Sequence, residues 1–141
     1  MIDVWPTLMD YLHIKTGGRT DGRSLMPLLS GQESWRDKLF IQYDGIAAYG
    51  SNQRCVVNGA YKLIMDTFKD EVFLELYNVI KDPQETTNLA MDPKNAAITK
   101  KLIAEIRTFM QDTHDRLKFP DDVYADFITH YPKLDQHDAD D

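Results

Sequence analysis

The sequence predicts an α+β fold: a four-stranded antiparallel sheet packed by one long C-terminal helix and preceded by a peripheral N-terminal helix. Four short runs rich in β-branched, aromatic and aliphatic residues follow one another between residues 39 and 79 with short links, which favours antiparallel pairing. The Asn58-Gly59 pair lies between two of these runs and is typical of a tight hairpin turn. From Ile98 onward apolar residues recur at helical spacing.

The first element is a helix over residues 3–12. Asp3 can serve as its N-cap, and Pro6 falls in the first turn, where backbone amides have no intrahelical partner. The pair Gly17-Gly18 is expected to end it. One face of this helix is apolar, and it carries Val4, Leu8, Tyr11 and Leu12.

A short helical turn over residues 25–29 comes next, with Ser24 as its cap and Gly31 as its end. The four predicted strands follow. They span residues 39–43, 53–57, 60–65 and 72–79. We expect a type I′ turn at Asn58-Gly59.

The last strand leads into Asp82-Pro83, which predicts the start of a short helical turn. Asp82 would be the N-cap, Pro83 would take the first helical position, and Glu85 would complete a capping box. Asp92-Pro93 repeats this device and opens the longest helix, which is predicted to run to the Phe119-Pro120 step.

Residues 120–141 differ in composition from the preceding helix. The aromatic and aliphatic side chains that are expected to dock on the domain are Tyr124, Phe127, Ile128, Tyr131 and Leu134. The acidic end, residues 135–141, has little to bury and is expected to fray.

Composition narrows the functional classes. At 141 residues the chain fits one domain or a subdomain of a larger protein. Its formal charge of −7 argues against a nucleic-acid partner, and no apolar run approaches the length of a membrane span. The single cysteine, Cys55, excludes an internal disulfide and is expected to be a small buried hydrophobic residue.

Several stretches resemble signatures of the sulfatase family, the enzymes that hydrolyse sulfate esters. They are Asp3 with Pro6-Thr7-Leu8; Asp21-Gly22-Arg23-Ser24-Leu25 with Pro27-Leu28-Leu29 and Gly31; and Glu75-Leu76-Tyr77 with Asp82-Pro83, Glu85 and Asn88-Leu89. A hairpin with Arg54 and Gly59-Ala60-Tyr61-Lys62-Leu63-Ile64 is also similar. The chain departs from the family pattern at Asn78, often Asp, and at Val57, which replaces a second arginine.

The resemblance implies a C-terminal subdomain of a sulfatase. Residues 1–37 would belong to the end of the parent's catalytic domain, 38–119 would form the subdomain, and 120–141 would be a partly ordered tail. The main partner would then be the parent's own N-terminal catalytic domain, and the substrate a sulfated small molecule or carbohydrate. By the same resemblance the intact protein would be periplasmic or secreted.

The family's chemistry depends on a formylglycine made from a C/S-x-P-x-R motif and on a divalent cation, usually calcium. That motif is absent, since Cys55 is followed by neither proline nor arginine at the required positions, and Ser24 has its proline at the third following position and not the second. The chain alone is therefore expected to lack both cofactors and sulfatase activity. Its four histidines show no pair at helical ligand spacing; they are His13, His114, His130 and His137.

Candidate substrate-entrance residues cluster at the end of the first strand, in the loop that follows and on the second strand. They are Gln42, Tyr43, Asp44, Tyr49 and Arg54. The alternative for Arg54 is a structural pair with a carboxylate within the sheet.

Two other functions compete with a sulfatase fragment. One is a stand-alone binding or interaction module, and the other is the C-terminal part of a related phosphonate- or phosphate-ester hydrolase. Self-association through the exposed N-terminal helix, which carries Trp5, Leu8 and Leu12, is a further expectation.

Overall fold

The computed structural model describes residues 2–15, 17–18, 20–31, 36–45, 50–69 and 71–131. The chain forms two compact units, residues 1–36 and residues 37–141. The predicted division into parent-derived segments stays a prediction.

Unit 1 contains helix α1 (Val4–Tyr11) and the short helix α2 (Met26–Leu29). The Asp3 side chain does not cap α1, contrary to the prediction, because it accepts hydrogen bonds from the Arg23 amide at 2.8 Å and Arg36 Nη2 at 2.6 Å. It thus ties the chain after α1 to the start of the helix. The helix ends at Tyr11, well before the predicted end at Gly17-Gly18. Shortly after Tyr11, His13 takes a left-handed φ of 56°.

The second helix follows the prediction more closely. Its N-cap is Leu25 and not the predicted Ser24, although Ser24 Oγ accepts a hydrogen bond from the Met26 amide at 3.2 Å, and Gly31 closes the turn with a φ of 92°. A glycine adopts that conformation without the penalty a Cβ would bring.

Unit 2 is built on the predicted four-stranded antiparallel sheet, which is confirmed. Its strands are β1 (Lys38–Asp44), β2 (Ser51–Asn58), β3 (Tyr61–Phe68) and β4 (Glu71–Asn78), and their order in the sheet is β1-β2-β3-β4.

The β2–β3 hairpin turns one residue later than predicted. Asn58 pairs with Tyr61, so the two loop residues are Gly59 and Ala60. Of these two, only Gly59 has a positive φ, at 58°. That pattern fits a type II′ turn, which places glycine first, and the type I′ expectation is wrong.

The core lies between one face of the sheet and helix α3 (Ala96–Asp112), with helix α4 (Val123–His130) packed beside β4. Burial of each large apolar side chain contributes about 1.5–3 kcal/mol. The fully buried members of this core include Val56, Leu63, Met65, Leu74, Leu76, Leu102, Ile106 and Phe127. Phe40 of β1 stacks on Phe109 of α3 with ring centroids 4.4 Å apart.

The corner after β4 is not the predicted helical turn. Asp82 does accept hydrogen bonds from the amides of Thr86 and Thr87, each at 2.9 Å. However, Glu85 adopts a left-handed φ of 54°, which interrupts a helix, and its carboxylate pairs with Lys62 at 2.7 Å. The capping-box prediction is therefore wrong for Glu85, because a tertiary ion pair engages its side chain.

Asn88 closes the outer edge of β4. Its Oδ1 accepts from the Leu76 amide and its Nδ2 donates to the Leu74 carbonyl, both at 3.0 Å. The Leu89 amide also donates to the Leu76 carbonyl at 2.8 Å. These bonds satisfy backbone groups that an edge strand would leave open.

Helix α3 follows a 3₁₀ turn, Pro93–Asn95, in which Asp92 accepts a hydrogen bond from the Lys94 amide at 2.9 Å, as its N-cap role predicts. The helix ends at Asp112, earlier than the predicted Phe119-Pro120 step, and His114 takes a φ of 55°. Residues 113–120 therefore form a loop at one end of the sheet.

The predicted docking of the aromatic segment is confirmed for its described part. Asp122 accepts a hydrogen bond from the Ala125 amide at 3.0 Å and opens α4, and Phe127 on α4 is 1% exposed. Leu134 and the acidic end lie outside the described residues.

Candidate functional site

The most elaborate polar arrangement in unit 2 surrounds Arg54 on β2. Its side chain is only 2% exposed, yet it is charged. Its Nε and Nη2 donate to the two carboxylate oxygens of Asp115 at 2.5 and 3.0 Å, and Nη2 also contacts Asp44 at 2.8 Å. Nη1 donates to the carbonyl oxygens of Tyr43 at 3.2 Å and Gln53 at 2.8 Å.

These contacts use all five N–H donors of the Arg54 guanidinium. A buried charge is tolerated when it is paired and fully hydrogen-bonded, and this one meets both conditions. Since no donor remains for a ligand, Arg54 holds together β1, β2 and the loop after α3. Sequence reasoning anticipated a carboxylate partner within the sheet, which Asp44 provides. It missed Asp115, because the long helix was expected to continue through that position.

Asp44 and Gln42 differ from Arg54 in that their side chains face solvent. The Asp44 side chain is 54% exposed, and its Oδ2 accepts from Gln42 Nε2 at 2.7 Å. The hydrogen bond from Gln42, and then that from Arg54, hold the pKa of Asp44 below its ordinary value. The hydrogen bond from Arg54 likewise lowers the pKa of Asp115, against the opposing effect of burial. Both carboxylates are therefore held ionised.

A cleft of about 510 Å³ opens above this buried arginine. Its lining comes from β1, β2 and the loop after α3, and consists of Gln42, Asp44, Asn52, Arg54, Thr113, His114, Asp115, Arg116 and Leu117. A second cleft of about 270 Å³ shares Asn52 and Leu117 with it and carries Lys69 and Lys118. The exposed cations Arg116, Lys69 and Lys118 therefore line the two clefts, whereas the charge of Arg54 is neutralised by Asp44 and Asp115.

The structure brings three of the five predicted site residues, Gln42, Asp44 and Arg54, into the lining of this cleft. Tyr43 lies one residue out of phase on β1, so its side chain points to the opposite face and only its carbonyl reaches Arg54. Tyr49 lies outside the described residues. Sequence reasoning missed Arg116, whose position became meaningful only once α3 was seen to end at Asp112.

Other nucleophile and ligand candidates do not form a reactive centre in the part of the chain that the structure describes. Cys55 is 7% exposed, and burial raises the pKa of its thiol to about 11, in keeping with its predicted role as a buried hydrophobic residue. Among the described residues, no group of three or more His, Cys, Asp or Glu side chains is placed to hold a metal ion. These residues do not fit a calcium–formylglycine site, and we assign no catalytic step to them.

Acid is expected to destabilise the protein through this site. Because the folded-state pKa of Asp115 lies below its unfolded value of about 3.9, its stabilising contribution is present above that value and is lost as the pH falls through the folded pKa. Asp44 acts in the same direction but is more exposed. Urea unfolding should show the free energy of unfolding declining below about pH 5, and less steeply in an Asp115→Asn variant. An equal decline in both proteins would contradict the assignment to Asp115.

Comparison with known proteins places this fold among the sulfatases. Residues 1–112 match the family model described as N-sulphoglucosamine sulphohydrolase, C-terminal, and the chain belongs to that family. The match ends at the last residue of α3, so the loop with Asp115 and Arg116 lies beyond it.

Two individual relatives are also enzymes of the sulfatase and alkaline phosphatase group by name. The chain is 30% identical over 122 residues to a Delta 4,5-hexuronate-2-O-sulfatase from Bacteroides thetaiotaomicron, covering 83% of this chain and 24% of that protein. It is 32% identical over 114 residues to the multifunctional alkaline phosphatase superfamily protein PehA from Trinickia caryophylli, covering 70% and 22%.

A solved structure of a 2-O GAG sulfatase superposes with a TM-score of 0.71 at 29% identity, covering 85% of this chain and 27% of that one. The chain thus spans about a quarter of the length of these proteins. Within the described residues, no helix combines the length and apolarity required to cross a membrane.

Proposed function

We propose that this chain is the C-terminal subdomain of a sulfatase, that it completes the fold of a catalytic domain and that its cleft borders the substrate entrance. The observation that carries the proposal is the fully hydrogen-bonded Arg54 beneath a cleft with exposed polar rim residues. A wall fixed in this way holds the rim side chains in place without presenting reactive groups. The family membership supplies the reaction class.

The rim offers groups that suit an anionic, hydrogen-bonding substrate. Arg116 is exposed and lines the cleft as a partner for an anionic group, while the ionised Asp44 and the side-chain oxygen of Gln42 can accept hydrogen bonds from hydroxyl groups. A guanidinium binds a sulfate or carboxylate with two parallel hydrogen bonds. We infer that the catalytic domain performs hydrolysis and that this subdomain helps to orient the substrate.

The chain alone is expected to show no turnover of a chromogenic aryl sulfate with calcium added, because it lacks the C/S-x-P-x-R motif.

In the intact enzyme, Arg116→Ala should raise KM up to about fivefold with little change in kcat, since an exposed ion pair contributes about 0–1 kcal/mol. Lys101→Ala, an exposed cation on α3 outside the cleft lining, is the matched control. Turnover by the isolated chain, or equal KM values for both variants, would contradict the respective part of the proposal.

A second candidate is the C-terminal part of a phosphonate- or phosphate-ester hydrolase. The similarity to PehA, named as an alkaline phosphatase superfamily protein, favours it. The two candidates share the same fold and differ in the reacting group of the catalytic domain. Parallel assays of the intact enzyme with aryl sulfate and aryl phosphonate esters distinguish them.

A further inference from the structure

The two edge strands of the sheet in unit 2 differ in whether their outer backbone groups are hydrogen-bonded. At β4, Asn88 and Leu89 hydrogen-bond to the backbone of Leu74 and Leu76 and cover the edge. At β1, no backbone hydrogen bond from another described segment reaches the outer edge. Strand β1 is seven residues long. A long, open edge strand is a template for pairing with another strand.

The side chains of β1 reinforce this difference. Leu39, Ile41 and Tyr43 alternate along the strand on the face away from α3, and they are 45%, 48% and 45% exposed. Edge strands that avoid pairing usually place charged residues or proline at such positions. This strand places three large apolar side chains there, with its only charged residues at its two ends, Lys38 and Asp44.

The sequence of β1 is complementary to itself when it is reversed. In an antiparallel pair centred on Ile41, Lys38 of one copy lies opposite Asp44 of the other. Leu39 lies opposite Tyr43 and Ile41 opposite itself, so the exposed face forms three apolar cross-strand pairs. Opposite charges and large apolar side chains that lie directly opposite each other stabilise an antiparallel strand pair. Within one chain, Lys38 contacts Glu105 and Asp44 contacts Arg54.

We propose that two copies of this chain associate through β1, in antiparallel register about Ile41, to form one continuous eight-stranded sheet. The partner is a second copy because the charges and apolar residues of this strand match their own reversed order. Pairing through β1 does not depend on the proposed function. The apolar side chains of β1 lie on the opposite face from Gln42 and Arg54, and β1 shares only Gln42 and Asp44 with the cleft lining.

The register can be tested by cross-linking the full 141-residue chain. Ile41→Cys places two thiols directly opposite each other, with Cα atoms about 4.5–5.5 Å apart, which a disulfide accommodates. Leu39→Cys, at nearly equal exposure, would separate its two thiols by about 14 Å along and across the strands. Because the native Cys55 lies directly opposite Ile41 on β2, every cysteine variant is made in a Cys55→Ala background. A mixture of Leu39→Cys and Tyr43→Cys chains should cross-link, although neither does so alone.

In a glutathione redox buffer we expect Ile41→Cys to form a covalent dimer and Leu39→Cys to remain monomeric on a non-reducing gel. Light scattering coupled to size exclusion should give the wild-type chain a mass that rises with concentration toward twice 16.3 kDa. Ile41→Lys should abolish that rise, whereas Ile80→Lys, at a position 73% exposed in a turn after β4, should not. Circular dichroism establishes that each variant is folded.

Three results would overturn the proposal. The first is a wild-type chain that stays monomeric at every concentration. The second is equal cross-linking of Ile41→Cys and Leu39→Cys. The third is a dimer that survives Ile41→Lys but is lost in Trp5→Lys, which would assign self-association to the exposed side chains of α1 instead.

Discussion

Replacing Asp115 with alanine is expected to lower the free energy of unfolding by about 3–5 kcal/mol, the loss that follows when one partner of a buried ion pair is removed. Asp115 supplies both carboxylate oxygens to Arg54, and the two side chains are 4% and 2% exposed. Without Asp115, the guanidinium keeps only the half-exposed Asp44 as a counterion. The desolvation cost of the charge then remains while most of its compensation is lost.

The matched control is Glu85→Ala, which removes a carboxylate that contacts Lys62 of β3. Lys62 and Glu85 are 2.7 Å apart, but their side chains are 23% and 32% exposed. Such a pair is worth about 0–1 kcal/mol, because water screens the attraction and solvates the freed partner. The two variants remove one carboxylate each and differ chiefly in the burial of the site.

Urea unfolding at pH 7, followed by circular dichroism, measures both changes. The double variant Arg54→Met with Asp115→Leu should recover part of the loss, since replacing both buried charges by apolar side chains removes the desolvation cost. If Asp115→Ala and Glu85→Ala cost the same, the buried network around Arg54 does not stabilise the fold as the geometry implies.

This network shows which parts of the molecule the sequence could reveal. The sheet was predictable because each strand has its own β-branched and aromatic run, bounded by local turn signals such as Gly59. The order of the strands followed from the short links. These features depend on neighbours in the chain, and sequence patterns report neighbours well.

The misjudged features depend on contacts between distant residues. Asp3 resembles an N-cap but binds Arg23 and Arg36, and Glu85 resembles the end of a capping box but pairs with Lys62. In each case a side chain that suits a local cap is engaged by a partner that spacing cannot identify. Local chemistry constrained the candidates without deciding among them.

The candidate site was predictable on the sheet side only. Gln42, Asp44 and Arg54 follow from strand register, because paired positions on adjacent strands share a face. The opposite wall, with Asp115 and Arg116, depends on where α3 ends. The sequence does not reveal where α3 ends, because the apolar periodicity continues to Leu117. This residue packs against the core from the loop after α3 and is partly buried.

The aromatic segment after this loop provides the second large effect. Replacing Phe127 with alanine is expected to lower the free energy of unfolding by about 3–5 kcal/mol, the usual cost of deleting a buried aromatic ring and leaving a cavity. Phe127 is 1% exposed, belongs to the same buried cluster as Leu74 and Leu102, and lies 4.9 Å from the ring of Tyr131.

The matched control for Phe127→Ala is Thr129→Ala on the same helix. Thr129 is exposed, and its hydroxyl donates only to the Ala125 carbonyl of its own turn, at 2.7 Å. We expect its replacement to change the free energy of unfolding by no more than about 0.5 kcal/mol. Denaturant titration of the two variants then separates docking of α4 from helix formation alone. If Phe127→Ala were as mild as Thr129→Ala, α4 would not be part of the cooperative unit, and the fold would end with the loop that carries Asp115. A large cost for Phe127 alone would make α4 an integral layer of the subdomain, although it lies beyond the residues that the family model matches.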